Sequence, residues 1–311
     1  MTPDVAFAAE WQGLWPAPDR VGLAVSGGPD SLGLMLLAQA ALGPDAFAVA
    51  TVDHGLRTDS GAEAALVARL CADRGLAHTT LKLALAPGTA MPERARDARY
   101  HALAAWCHDQ RLGALVTAHH ADDQAETLVM RMNRGAGLRG LAGIRARATV
   151  PDDTLPLLRP LLGWRRAELA ALVAAAGITA VDDPTNRDQQ FERARVRSGL
   201  AAAPWIDPAG LSRSARHLAE ADAALDWVAD QICAVMAGPD WAVASDLPRA
   251  LALRVLERVI ARAGGSVPRG RALARWHDRL VAGEIATLAG VRGDGRADLW
   301  RFAPAPRHQT R

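Results

Sequence analysis

The sequence is poor in cysteine, lysine and tyrosine. Its three cysteines, Cys71, Cys107 and Cys233, lie far apart with no CxxC pair. That spacing excludes a disulfide framework and a cysteine zinc site and leaves them as small core residues. Lys82 is the only lysine among 36 basic residues, so the positive charge is nearly all guanidinium, which suits two-pronged phosphate contacts. The longest stretch without charge, Ser31 to Pro44, is too short to cross a bilayer as a helix. The N-terminal run MTPDVAFAAEWQGLWP has no basic start and carries Glu10 inside its apolar part. It does not read as a secretory signal, and a cytoplasmic chain without membrane attachment is expected.

What is present is ordinary for a globular protein. With 311 residues, half of them hydrophobic and 23% charged, the chain is long enough for roughly two domains and is not of disordered composition. A net charge of +2 does not by itself announce nucleic acid. Its distribution is less even: eight arginines stand against Asp152 and Asp153 between Arg131 and Arg166, and eight against Glu257 and Asp278 between Pro248 and Arg279. Each zone reads either as a phosphate-binding surface or as solvated helix faces in an arginine-rich chain.

Short apolar runs alternate with longer amphipathic segments over the first 120 residues, the rhythm of a parallel α/β sheet. Strands are expected over 21–26, 46–52, 77–83 and 114–118, and helices over 32–42, 62–74, 92–112 and 122–133. Four glycines in RGAGLRGLAG make 134–143 a loop, and its arginines make it a candidate substrate-contacting element. The run 155–162 reads as an extended edge segment because Pro156 and Pro160 would break an interior strand. Helices follow over 164–176 and 189–203, with a turn at DDPTN between them. Pro204 to Pro208 marks the expected domain boundary, after which the pattern is helical to Gly283. The tail carries two short runs around Asp294-Gly295, a dipeptide that favours a hairpin.

The strongest chemical signal follows the first strand: Ser26, Gly27, Gly28, Pro29, Asp30 and Ser31 lead straight into an apolar helix. Two glycines allow close backbone approach to an anion, the serines can donate, and a helix N-terminus points free amides at the same spot. The loop lacks the lysine of a Walker motif and the spacing of GxGxxG, so the ordinary P-loop NTPase and Rossmann dehydrogenase readings lose ground. Asp30 within such a cradle makes sense if it recruits Mg²⁺ to pyrophosphate oxygens.

SGGPDS resembles the pyrophosphate loop of the N-type ATP pyrophosphatase superfamily. Further blocks are similar to those of its tRNA(Ile)-lysidine synthetase family: TVDHGLR from Thr51, RDARY from Arg96, AHHADDQAET from Ala118, RGAGLRG from Arg134, LRPL from Leu158 and DPTN from Asp183. Together they span roughly residues 21 to 200, in the family's order. The resemblance implies a doubly wound, mostly parallel α/β catalytic domain of the adenine nucleotide alpha hydrolase type over 1–203. A smaller, mainly helical tRNA-binding domain over 204–311 would follow, and the second basic zone is a candidate acceptor-stem surface. It also implies a ligase using ATP and Mg²⁺ in two steps. The C2 oxygen of the wobble cytidine of a tRNA(Ile) with a CAU anticodon is adenylated, and the ε-amine of L-lysine then displaces AMP.

Asp123 and Glu126 fall three apart on one helix and so share a face. The resemblance associates them with lysine, which two carboxylates could hold by charge-assisted hydrogen bonds, and one of which could take its proton. Acidic residues favoured by a helix N-terminus are the alternative. His119 and His120 sit at the carboxyl end of a parallel strand, where open α/β sheets place ligands, and either could touch phosphate. Asp53, His54 and Arg57 occupy the same edge after the second strand as candidate ATP contacts. Arg99 in the RDARY block is a catalytic candidate or a surface partner of Glu93 or Asp97. Arg193 and Arg197 lie four apart on one helix and could clamp phosphate, the first toward tRNA together with Arg134 and Arg139, the second in catalysis. Where the family has an asparagine after the first of these arginines, this sequence has Ala194.

A tRNA thiolase of the same superfamily is the nearest alternative, although Cys71 and Cys107 both fall within apolar helices. A non-catalytic nucleotide-binding relic is opposed by the intact Asp30, Asp123 and Glu126. An amidotransferase would need a glutaminase domain, and the sequence holds no N-terminal nucleophile cysteine.

Overall fold

The computed structural model describes the chain except for residues 18, 54, 56–59, 84–90, 182–189, 237–240, 267, 269 and 307–311. The chain divides into two compact units, Met1–Ala219 and Glu220–Arg311. The first unit begins with α1 (Pro3–Leu14), whose Phe7 and Trp11 are buried, and continues β1 (Val21–Ala24), α2 (Pro29–Leu42), β2 (Phe47–Asp53), α3 (Ser60–Ala72), β3 (His78–Lys82), α4 (Met91–Asp109), β4 (Leu115–Val116) and α5 (Ala121–Asn133). The short α6 (Leu138–Leu141), β5 (Arg147–Thr149), β6 (Pro156–Leu158), α7 (Arg166–Ala175) and α8 (Glu192–Ala201) follow, and α9 (Pro208–Ala234) leads into the second unit.

The six strands are ordered β3-β2-β1-β4-β6-β5, parallel except for β5, which runs antiparallel to β6. Strands covered on both faces read as apolar runs, which is why β1, β2 and β4 were legible. One face packs on α1, α2 and α7 through Phe7, Leu34, Leu37, Leu169 and Val173; Tyr100, Leu103 and Cys107 of α4 belong to a second core cluster with Leu115 and Leu157. Gly22 of β1 is obligatory here, because a Cβ would lie 2.5 Å from the Trp106 ring.

Three sequence expectations change. The 155–162 run is not an edge: β6 is flanked by β4 and β5, with Pro156 as its first residue and Pro160 beyond its end, so neither proline interrupts the ladder. The 134–143 loop contains one helical turn, α6. The units divide inside α9 rather than at Pro204–Pro208, because that segment and the start of α9 belong to the first unit, where the Ser212 hydroxyl donates to the Leu162 carbonyl at 2.8 Å.

The second unit adds β7 (Trp241–Ala244), α10 (Arg249–Arg262), α11 (Gly270–Val281), β8 (Ile285–Leu288), β9 (Val291–Asp294) and β10 (Leu299–Pro304) to the end of α9. Its antiparallel sheet, β7-β10-β9-β8, includes the expected hairpin about Asp294 but also β7, which the helical expectation for this region overlooked. Trp276, Trp300 and Phe302 fill its core.

The second basic zone is largely neutralised within this unit. Arg249 pairs with Asp278 and Arg279 with Glu284, and Arg262 donates to the Met236 carbonyl. Arg254 and Arg258 interleave with Asp222, Asp226 and Asp230, which succeed one another every four residues along α9. Among the described residues this leaves Arg271 and Arg275 as the zone's cations without a hydrogen-bond or ion-pair partner, a thinner acceptor-stem surface than the charge count suggested. Asp222→Ala should cost about 2 kcal/mol, because Arg254 is buried and would keep only Asp226. The exposed Asp230→Ala should cost under about 0.5 kcal/mol. Urea midpoints test the contrast, and equal losses would reject the ladder as a buried device.

Candidate active site

The β1–α2 connection has the backbone geometry expected of an anion cradle. Gly27 adopts φ +87°, a left-handed conformation that glycine adopts without strain, and its carbonyl accepts from the Val181 amide at 2.9 Å. Gly28 caps α2, and the first intrahelical bond runs from Leu32 N to Gly28 O, so the amides of Asp30 and Ser31 have no acceptor within the helix. Ser31 is turned inward: its hydroxyl donates to Gly28 O and accepts from Ser26 N, each at 3.0 Å, with Ser26 Oγ 3.2 Å away. It braces the loop. Asp30 projects from the first turn with Oδ1 buried and unpartnered, while Oδ2 stands 3.3 Å from His120 Nε2 and 3.6 Å from Arg166 Nη2.

The second half of the site is the N-terminus of α5. His120, wholly buried, is its cap: Nδ1 accepts from the Asp123 amide at 3.3 Å, and Asp123 Oδ2 accepts from the His120 amide at 3.2 Å. That arrangement turns Nε2–H toward Asp30 and Asp123. Burial works to lower the His120 pKa, but the two carboxylates outweigh it and the net displacement is upward. Asp123 shows the converse: burial raises its pKa, and His120, His119 and Arg193 together bring it below the ordinary value.

His119 differs sharply from its neighbour. Nδ1 is 3.0 Å from Thr117 Oγ1, and burial, aided by Arg159, Arg96 and Arg193 against the lone opposing Asp123, pushes its pKa down to about 3. The folded imidazole is therefore neutral at physiological pH. An unfolded chain would protonate it below about pH 6.5, so this group makes stability fall as the pH drops from there toward 3, by at most about 1.4 kcal/mol per unit. His119→Asn should accordingly lose less of its thermal midpoint than the wild type between about pH 6.5 and 5. Parallel curves would assign the slope to other groups.

One turn on, Glu126 is buried and its carboxylate accepts from Arg197 Nε at 2.6 Å and Nη2 at 3.2 Å, with Arg193 Nε 3.1 Å away. Arg193 also donates to Thr127 Oγ1. The two arginines on one helix face, expected to clamp phosphate, converge instead on Glu126, the carboxylate that the family resemblance associates with lysine. Asp122, absent from the sequence-derived site, binds the Arg165 guanidinium at 2.9 to 3.2 Å and accepts from the Arg166 amide at 2.8 Å. Burial raises its pKa, and Arg165 brings it below normal. This pair fixes α5 against the start of α7 and so sets Arg166 beside Asp30. Between α5, α7, α8 and the first turn of α9 lies a cavity of about 520 Å³, with Glu126, Arg166 and Arg197 on its charged side and Leu200 and Ile206 on its apolar side.

The other expected residues that are described have separate partners. Arg99 is half-buried beside Tyr100, its guanidinium 5.3 Å from the ring centroid, and burial lowers its pKa. Asp53 accepts from the Gly55 amide at the end of β2. His54, Arg57 and the DPTN turn lie outside the described residues. Arg134 pairs with Glu192, and Arg139 sits in α6. Sequence reasoning also missed Arg131, which donates to the Gly140 and Gly143 carbonyls, and Arg159, buried with an unpartnered Nε. Both belong to the first basic zone, which was the available signal.

Comparison with known proteins gives the family of the chain. The family described as PP-loop domain matches residues 6–203. The chain is 58% identical over 309 residues to a tRNA(Ile)-lysidine synthase of Novosphingobium aromaticivorans, covering 98% of this chain and 94% of that one. A tRNA(Ile)-lysidine synthase of Zymomonas mobilis is 40% identical over 299 residues, covering 94% and 90%. Among solved structures, the U34-tRNA thiolase NcsA of Methanococcus maripaludis, solved with its [4Fe-4S] cluster, has a TM-score of 0.57 at 15% identity over 70% of this chain and 77% of that one, a likeness of fold.

Proposed function

Since the chain belongs to the tRNA(Ile)-lysidine synthase family of PP-loop proteins, we propose that it joins L-lysine to C2 of the wobble cytidine of a tRNA(Ile) with a CAU anticodon, at the expense of ATP. The observation that carries this reading is the meeting of Asp30, His120, Asp123 and Arg166 beside the Glu126–Arg197 cavity. The glycine loop and the free amides of α2 suit the β- and γ-phosphates of ATP. The orphaned, buried Oδ1 of Asp30 fits Mg²⁺, which would neutralise charge on the departing pyrophosphate.

In the first step the C2 oxygen attacks the α-phosphorus and pyrophosphate leaves. Arg197, held by Glu126, and Arg166 supply positive charge to the phosphate oxygens. In the second, the ε-amine attacks C2 and AMP departs. The amine must shed a proton, and Asp123, its pKa already low, serves better to hold the ammonium than to keep its proton for long. Neutral His119 contributes a polar contact rather than a cation.

Radiolabelled lysine, ATP and Mg²⁺ test the proposal, with tRNA(Met) and Asp30→Ala as controls. Label confined to the wild-type protein with tRNA(Ile) is the expected outcome. AMP formation without label would redirect the reading to another nucleophile. Sulfur delivery from the chain's own core thiols is disfavoured: burial pushes Cys71 up to about 11 and Cys107 up to about 12.

A further inference from the structure

Six of the nine tryptophans are buried and Trp164 is partly so, as folding energetics favour for so large an apolar ring. Trp205 is 84% exposed, the most exposed of all nine. It stands in the tight connection between α8 and α9, and its mounting is stiff. Ile206 N donates to Ala203 O at 2.9 Å across the turn, with Pro204 fixing one backbone angle. On the far side the Asp207 carboxylate accepts from the amides of Ala209 and Gly210 at 2.9 and 2.8 Å. The residues on either side, Pro204 and Ile206, line the cavity described above, whereas the indole contributes nothing to that lining. A rigid turn therefore holds a bare aromatic face at the rim of the candidate active site, where it has no part in the fold.

We propose that Trp205 is a stacking platform for a nucleobase of the RNA substrate, next to the base being modified. The inference rests on the proposed function and specifies how its RNA is held. Chemistry at a ring carbon of a base requires that base to leave its stack, and the neighbour then loses one of its two stacking faces. An exposed indole replaces that face without hydrogen-bond demands, so it lends affinity irrespective of base identity. Trp205 is accordingly a positioning residue and not a catalytic one.

The test is steady-state lysine transfer to an unmodified tRNA(Ile) transcript with CAU anticodon, together with equilibrium binding of that transcript. Wild type, Trp205→Ala, Trp205→Phe and Trp205→Leu are compared. Loss of one base–aromatic stack should raise KM and Kd for tRNA about tenfold in Trp205→Ala. The values of kcat and of KM for ATP and lysine should stay within about twofold of wild type. Trp205→Phe should recover most of the loss, and Trp205→Leu, of similar apolarity but without a π-face, should not. Unchanged tRNA affinity in Trp205→Ala overturns the proposal. So does rescue by leucine equal to that by phenylalanine, or a change confined to KM for ATP, which would mean that the indole meets adenine. A wild-type protein that binds the transcript but transfers no lysine would defeat the proposed function alone, and the Trp205→Ala affinity would still decide the stacking.

Discussion

Asp30→Asn is expected to reduce tRNA-dependent release of pyrophosphate by about 10²–10³-fold while leaving the fold intact. Asparagine matches the shape of aspartate but removes its charge, and with it the ligand proposed for Mg²⁺. The effect spreads to His120. Asp30 is one of two carboxylates that hold the His120 pKa up against burial, so the substitution should also bring that pKa down. Because the Asp30 side chain is 26% exposed, the stability change should be within about 1 kcal/mol, which a urea titration of the same preparation checks. Activity within tenfold of wild type would remove Asp30 from the phosphate site.

Glu126→Ala should impair both half-reactions, by about 10²-fold in each, and lower stability by about 2–3 kcal/mol. The carboxylate is the shared acceptor of Arg193 and Arg197, and its removal leaves two guanidiniums uncompensated at a buried spot. Both arginines keep some solvent access, which reduces the penalty below that of a fully buried pair. Glu126→Gln should restore most of the stability while Arg197 remains poorly oriented. The comparison with Asp123→Asn is decisive. If Asp123 holds the lysine, its variant should raise KM for lysine with adenylation near the wild-type rate. A Glu126→Ala variant defective only in KM for lysine would instead make Glu126 the lysine ligand.

Much of the first unit was legible from local pattern. The strands at 21–24, 47–53 and 78–82 and the helices between them fell close to their expected places, because buried parallel strands leave apolar runs and glycine stops helices. The glycine loop was readable for the same reason, since its function resides in contiguous backbone. Pattern failed where partners decide. Pro156 spoke for an edge strand, yet β6 is interior because the prolines fall at and beyond its limits. The strand at Trp241–Ala244 is only four residues long and is stabilised by pairing with β10, nearly sixty positions away, so no local period announced it.

The candidate site follows the same line. Sequence alone determined the cradle of Ser26 to Ser31, the carboxylates at the head of α5 and the arginines of α8, for these depend on residue type at short spacing. Only the tertiary structure decided their partners. It turned Ser31 inward, separated a neutral His119 from a His120 poised against Asp30, joined Glu126 to Arg197 across 71 positions, and matched the arginines of α10 to the aspartates of α9. Each of these outcomes turns on burial and on which charge lies within a few ångströms. Chain folding sets both, and short-range spacing leaves them open.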